Sequence, residues 1–125
     1  MPQLDATIPT NSVEVLFQMR SGHLDNKMIV GVMTNPADIS TFVGIDTVAV
    51  STTNTFEWFN VSLASYTGTG TYVAFKNHNV STSSYNIYMD DVMLNILPTC
   101  ARPYDVEAVS TPTDMVQLSW TDPTG

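Results

Sequence analysis

The chain has 125 residues and a net charge of −8, with only four basic residues, Arg20, Lys27, Lys76 and Arg102, against twelve acidic ones. Nucleic-acid binding needs clustered Lys and Arg to neutralise phosphates; that class is excluded, and an anionic membrane surface is disfavoured on the same ground. A hydrophobic content of 43% permits a core, while charged residues reach only 13% and Thr, Ser and Asn fill the polar positions, a balance suited to half-solvated β-sheet surfaces.

The length accommodates one domain, or one domain and part of another. Alternation of apolar and polar residues runs through it. Val13 to Arg20 places Val13, Val15, Phe17 and Met19 on one face, which predicts a strand. Met28 to Met33 predicts a second strand that is apolar on both faces and therefore central. It is far too short to span a bilayer, so membrane insertion is not expected. Asn35-Pro36-Ala37-Asp38 predicts a turn, with one helical turn at most near Pro36 to Ile39.

Phe42 to Val50 predicts a third strand. Phe56 to Leu63 predicts a fourth, with Phe59, Val61 and Leu63 on one side and Phe56 and Trp58 on the other. Tyr66-Thr67-Gly68-Thr69-Gly70 is a glycine-punctuated loop. Tyr72 to His78 is a fifth strand, Asn79 to Ser84 a polar loop, and Tyr85 to about Ile96 a sixth strand. Six strands divided by turn signals predict a sandwich or jelly roll with Phe17, Met19, Val30, Val32, Phe59, Val61, Leu63, Val73 and Phe75 inside.

Pro98 to Pro103 interrupts the pattern, since two prolines in six residues stop strand pairing. Tyr104 to Ser110 and Met115 to Thr121 then alternate again, with Val106, Ala108, Val116, Leu118 and Trp120 on one face. Two strands cannot bury a core alone, so the expectation is a chain that stops inside a second domain. Met1 to Asp5 lacks the basic and apolar segments of a signal peptide; the expectation is that the native beginning lies further upstream.

Phe17-Gln18-Met19-Arg20-Ser21-Gly22, Lys27 to Thr34 and Thr41-Phe42-Val43 resemble the middle strands of the cleaved-adhesin family. These are jelly-roll modules of gingipain-type haemagglutinin/adhesin regions and are related to MAM domains. Phe59 to Leu63, Tyr66-Thr67-Gly68, Val73-Ala74-Phe75 and Ile87 to Val92 continue the resemblance in order. It covers residues 1–97 and implies a jelly roll lacking its first strands. After the linker at 98–103, residues 104–125 resemble the opening of a fibronectin type III domain, with Leu118-Ser119-Trp120 similar to that family's second strand. Together the resemblances imply a non-catalytic adhesion or ligand-binding module of a bacterial cell-surface or secreted protein. Its partners would be a host protein or glycan, or neighbouring domains. An accessory domain of a surface protease or hydrolase, and a structural subunit of a fibre or virion, are the alternatives.

The candidate site residues carry two readings each. Asp90 and Asp91 are adjacent carboxylates in an apolar strand, a costly arrangement unless they are solvated, hydrogen-bonded or bound to a cation. Either they are polar strand-end residues or they belong to a structural calcium site, as the resemblance implies. Calcium requires six to eight oxygen ligands, so Asp5, loop carbonyls or further strands would have to contribute. Trp58, on the outward side of its strand, either stacks on a ligand or lies under a neighbouring segment; the same holds for Tyr66.

Cys100 is alone, which excludes an internal disulfide. His23 and His78 read as surface residues, and no general-base constellation, nucleophile elbow or phosphate loop is present. Asn60-Val61-Ser62 and Asn79-Val80-Ser81 are glycosylation sequons that matter only in a eukaryotic secretory context. Asp46-Thr47-Val48 is similar to the O-glycosylation pattern of the bacteria that carry cleaved adhesins, which makes Thr47 a candidate.

Overall fold

The computed structural model describes residues 3–79, 86–98, 104–110 and 115–121. Cys100, Tyr85 and most of the 98–103 linker lie outside them. The chain is all-β, with strands β1 (Val13–Ser21), β2 (Asn26–Met33), β3 (Val43–Ala49), β4 (Glu57–Ser62), β5 (Tyr72–Asn79), β6 (Ile87–Ile96), β7 (Tyr104–Ser110) and β8 (Val116–Thr121). The only helical elements among the described residues are 3₁₀ turns at Thr10–Ser12 and Ile39–Thr41. The second is fixed by Asp38, whose carboxylate accepts from Ser40 N at 2.9 Å and Ser40 Oγ at 2.7 Å. No helix among the described residues is long and apolar enough to cross a membrane.

Two antiparallel three-stranded sheets form the sandwich, ordered β4-β1-β6 and β3-β2-β5. Successive strands change sheets except at the β2–β3 hairpin, the interleaved winding expected of a jelly roll. The core closes between the sheets. From β1 come Val13, Val15, Phe17 and Met19, from β2 Met28, Val30 and Val32, and from β4 and β5 Val61 and Val73, all buried. Phe17 stacks on Phe59 of its own sheet at 5.7 Å and meets Phe75 of the opposite sheet edge-on at 5.2 Å, both within the range for favourable aromatic pairs. Of the expected core, Phe59 and Phe75 are partly buried and the rest fully so.

The central place of β2 follows from its composition. Its inward row meets the core, and its outward row is covered as well, because the Phe42 ring lies over Gly31. Lys76 Nζ in turn sits 5.8 Å from the centre of that ring. Before β1, Gln3 bridges antiparallel to Tyr72, and Leu4 N donates to Thr71 O at 2.8 Å, so the segment ahead of β1 runs along the outer edge of β5.

Between β3 and β4 a carboxylate organises the turn. Glu57 accepts from Ser51 N and Thr52 N, at 2.9 and 2.6 Å. The backbone hydrogen bond from Ser51, first among the causes, holds the Glu57 carboxyl below its ordinary value.

β7 and β8 pair with each other as a separate two-stranded ladder. Val116, Leu118 and Trp120 alternate onto one face of β8, and they and Val106, which lies in a register irregularity of β7, are exposed.

Candidate functional site

The outer face of β4-β1-β6 gathers the side chains that the inward row leaves over. Residues opposite one another in antiparallel strands share a face, so the register defines its rows. Arg20 stands opposite Tyr88. The next row is Trp58, Gln18 and Asp90, then Asn60, Leu16 and Met93, then Ser62, Glu14 and Asn95. Trp58 is 53% exposed, Tyr88 47% and Phe56 40%, so three aromatic rings present surface to solvent on one sheet face. Scattered single apolar residues are normal, but a ring cluster rimmed by polar groups marks an interaction surface.

Arg20 is held between two of these rings. Its guanidinium carbon lies 4.7 Å from the Tyr88 ring centre and 5.3 Å from that of Phe56. The flat guanidinium stacks on ring faces, which orders a side chain that would otherwise be mobile. Among the described residues no carboxylate comes within salt-bridge distance of it. The sequence does not single out Arg20, because its two aromatic neighbours, Phe56 just ahead of β4 and Tyr88 on β6, are remote in the chain.

Trp58 faces outward, as its place in β4 predicts. Tyr66 does not share the face. It is 6% exposed, packed in the core, and its hydroxyl accepts from Gly70 N at 2.8 Å. Of the two readings given for Tyr66, burial fits the covered one: the ring fills the sandwich and its hydroxyl pins the glycine loop. A neighbouring cavity of about 360 Å³, lined by Val43, Gly44, Ile45, Ser65, Tyr66, Thr67 and Gly68, lies at the rim of the second sheet. Thr47 is exposed on β3, with its N–H donating to Asp46 Oδ1 at 2.7 Å. The Asn60 amide is engaged, donating to Glu14 Oε2 at 3.0 Å.

Asp90 and Asp91 sit at a β-bulge. Leu16 pairs with Met93 and Gln18 with Asp90, so β6 carries one more residue than β1 across this interval. Asp91 takes up the surplus at φ 49°, the left-handed region that Asp and Asn tolerate better than most residues. Asp91 Oδ2 accepts from Gln18 Nε2 at 2.7 Å, and Asp90 Oδ1 accepts from Asp91 N at 2.9 Å. Each carboxylate thus has one oxygen engaged. Among the described residues no third Asp, Glu, His or Cys joins them. Asp5, the further ligand expected, is engaged by Thr7 N and Thr7 Oγ1 at 2.8 and 2.7 Å. These residues do not make up the oxygen shell that calcium requires.

The bulge makes its own prediction. Asp91→Ala forces a β-carbon without a polar group into left-handed backbone and loses the Gln18 bond, whereas Asp91→Gly loses the bond but relieves the backbone. Asp91→Ala is therefore less stable than Asp91→Gly by about 1 kcal/mol. Chemical denaturation of both variants, with and without calcium, measures this. Equal stabilities, together with a calcium-induced stabilisation that both variants lose, would assign a calcium site to this pair instead.

Comparison of the chain with protein-family models, with curated proteins and with solved structures finds no match.

Proposed function

We propose that this chain is a non-catalytic adhesion or ligand-binding module of a bacterial cell-surface or secreted multidomain protein, and that it binds through the outer face of β4-β1-β6. The observation that carries this reading is the exposed set of Phe56, Trp58 and Tyr88 around Arg20. Rigid aromatic rings lose little conformational entropy when a partner covers them, and Trp, Tyr and Arg dominate the energetics of such contacts. The acidic composition and the resemblance to cleaved adhesins support a host protein or glycan as the partner and exclude nucleic acid. Thr47, exposed on the other sheet, is the proposed O-glycosylation site of a secreted protein. Calcium is not assigned to the fold, for the reason given above.

Trp58 is the residue to test. Immobilised protein is presented with host extracellular proteins and a panel of glycans, and Trp58→Ala is compared with the parent chain. The parent binds at least one of them, and Trp58→Ala weakens that binding by about 2 kcal/mol or more while leaving the thermal midpoint unchanged. A parent chain that binds nothing, or a variant that binds as well as the parent, overturns the reading.

The accessory or spacer reading draws on a different observation. Val116, Leu118 and Trp120 on β8, with Val106 on β7, expose apolar surface, and a neighbouring domain of the same polypeptide is the natural cover for it. In that reading the chain positions a catalytic neighbour rather than binding a host ligand.

A further inference from the structure

We propose that Arg20 is a carboxylate-recognition site and that the ligand of the outer face is an acidic sugar, a pyranose carrying one carboxylate of the uronic or sialic acid kind. The proposal rests on the reading of this face as a binding surface and names the chemistry it selects.

Three properties of Arg20 lead to it. The chain carries twelve acidic residues and four basic ones, yet this cation has no carboxylate at salt-bridge distance among the described residues. Its guanidinium already lies over the Phe56 and Tyr88 rings, contacts that restrict the side chain and lower the ordering cost of binding. With no carboxylate among the described residues at salt-bridge distance, its N–H donors supply the fork that matches a carboxylate through two parallel hydrogen bonds.

The neighbouring row supplies the sugar chemistry. Trp58 lies in the row of Gln18, two residues from Arg20 along β1, which is about 7 Å at the rise of an extended strand. One pyranose ring with its carboxyl substituent spans that interval, its apolar face on the indole and its carboxylate at Arg20. Gln18 donates its amide to Asp91, which leaves Gln18 Oε1 to accept from a sugar hydroxyl. Asp90 Oδ1 takes the Asp91 amide, and its second oxygen is placed to accept another.

The same acids set the selectivity. Asp90 and Asp91 belong to this face or its bulge and are exposed, so a polyanion laid along it meets like charge beyond Arg20. A single carboxylate among neutral hydroxyls satisfies Arg20 without that repulsion. Sulfated chains and polyacidic peptides are therefore disfavoured, and an isolated acidic sugar is favoured.

Titration followed by amide and side-chain NMR tests the assignment. The probes are the methyl glycosides of glucuronic acid and N-acetylneuraminic acid, each beside its uncharged carboxylate methyl ester, with N-acetyl-glutamate amide as a non-sugar acid. The Trp58 indole and Arg20 Nε signals shift, and each acid binds at least tenfold tighter than its ester. Arg20→Gln removes that preference while keeping ester binding, and Trp58→Ala weakens both forms. Ester binding equal to acid binding, still dependent on Trp58, overturns the Arg20 assignment and leaves the binding face standing. N-acetyl-glutamate amide binding as tightly as the sugars overturns the sugar. No shift at either residue with any saccharide overturns both the proposal and the glycan-binding form of the reading beneath it. The acid-against-ester comparison uses the parent chain alone, so it holds even if a variant folds poorly.

Discussion

Phe17→Ala lowers the stability of the sandwich by about 3–5 kcal/mol, the cost of emptying a fully buried aromatic site. Phe17 is fully buried at the centre of β1, the middle strand of its sheet. It touches both layers, stacking on Phe59 within one sheet and meeting Phe75 edge-on from the other. Removing the ring therefore takes away its own transfer free energy and the contact that joins the sheets. Neither neighbour can collapse into the space without drawing its strand out of register. Small domains hold only about 5–15 kcal/mol in total, so the thermal midpoint falls by more than about 10 °C. Phe59→Ala and Phe75→Ala cost less, because both rings are only partly buried. A Phe17→Ala cost below about 1 kcal/mol in urea unfolding, or one equalled by Phe59→Ala, would show that the sheets are not joined at this point.

Gly31→Ala destabilises by about 2–3 kcal/mol, at the upper end for overpacking a close contact. A β-carbon at Gly31 runs into the carbonyl oxygen of Val43 and lies 2.6 Å from Cζ of Phe42. The ring could swing away, but the carbonyl belongs to the β2–β3 pairing and moves only if the ladder moves. The register shifts between Val30 and Gly31, where Val30 faces Asp46 and Gly31 faces Gly44. The irregularity brings β3 close over the glycine, and Phe42 closes the outer side of the strand. Gly44→Ala is the control. Its nearest neighbour is the methyl of Ile29 at 3.0 Å, which a small rotation relieves, so its cost stays below about 1 kcal/mol. Equal effects at the two glycines would remove the argument that backbone, rather than side chain, sets the limit at Gly31.

Much of the architecture was legible before any coordinates. Strand side chains alternate with a period of two, so Val13, Val15, Phe17 and Met19 declared the core face of β1, and Trp58 the outer face of β4. β2 read as central because it is apolar on both sides, and the Phe42 ring over Gly31 explains why both sides can be. Two features were hidden from the sequence. Tyr66 read as either ligand-facing or covered, since a loop has no periodicity to tell inside from outside. Only the fold brings its hydroxyl to Gly70 N and its ring into the core. Asp90 and Asp91 read as a carboxylate pair, but a bulge is a property of two strands in register. Neither strand alone reveals that β6 carries the extra residue or that Asp91 takes left-handed backbone.

Arg20 is the clearest division between the two sources. The sequence determined that it points outward, because its neighbours Met19 and Ser21 point inward. Its ring partners, Phe56 ahead of β4 and Tyr88 on β6, arrive through pairings with segments far along the chain. Burial follows local alternation because water acts on each residue where it stands. A binding site depends on which strands lie side by side, and only long-range pairing decides that.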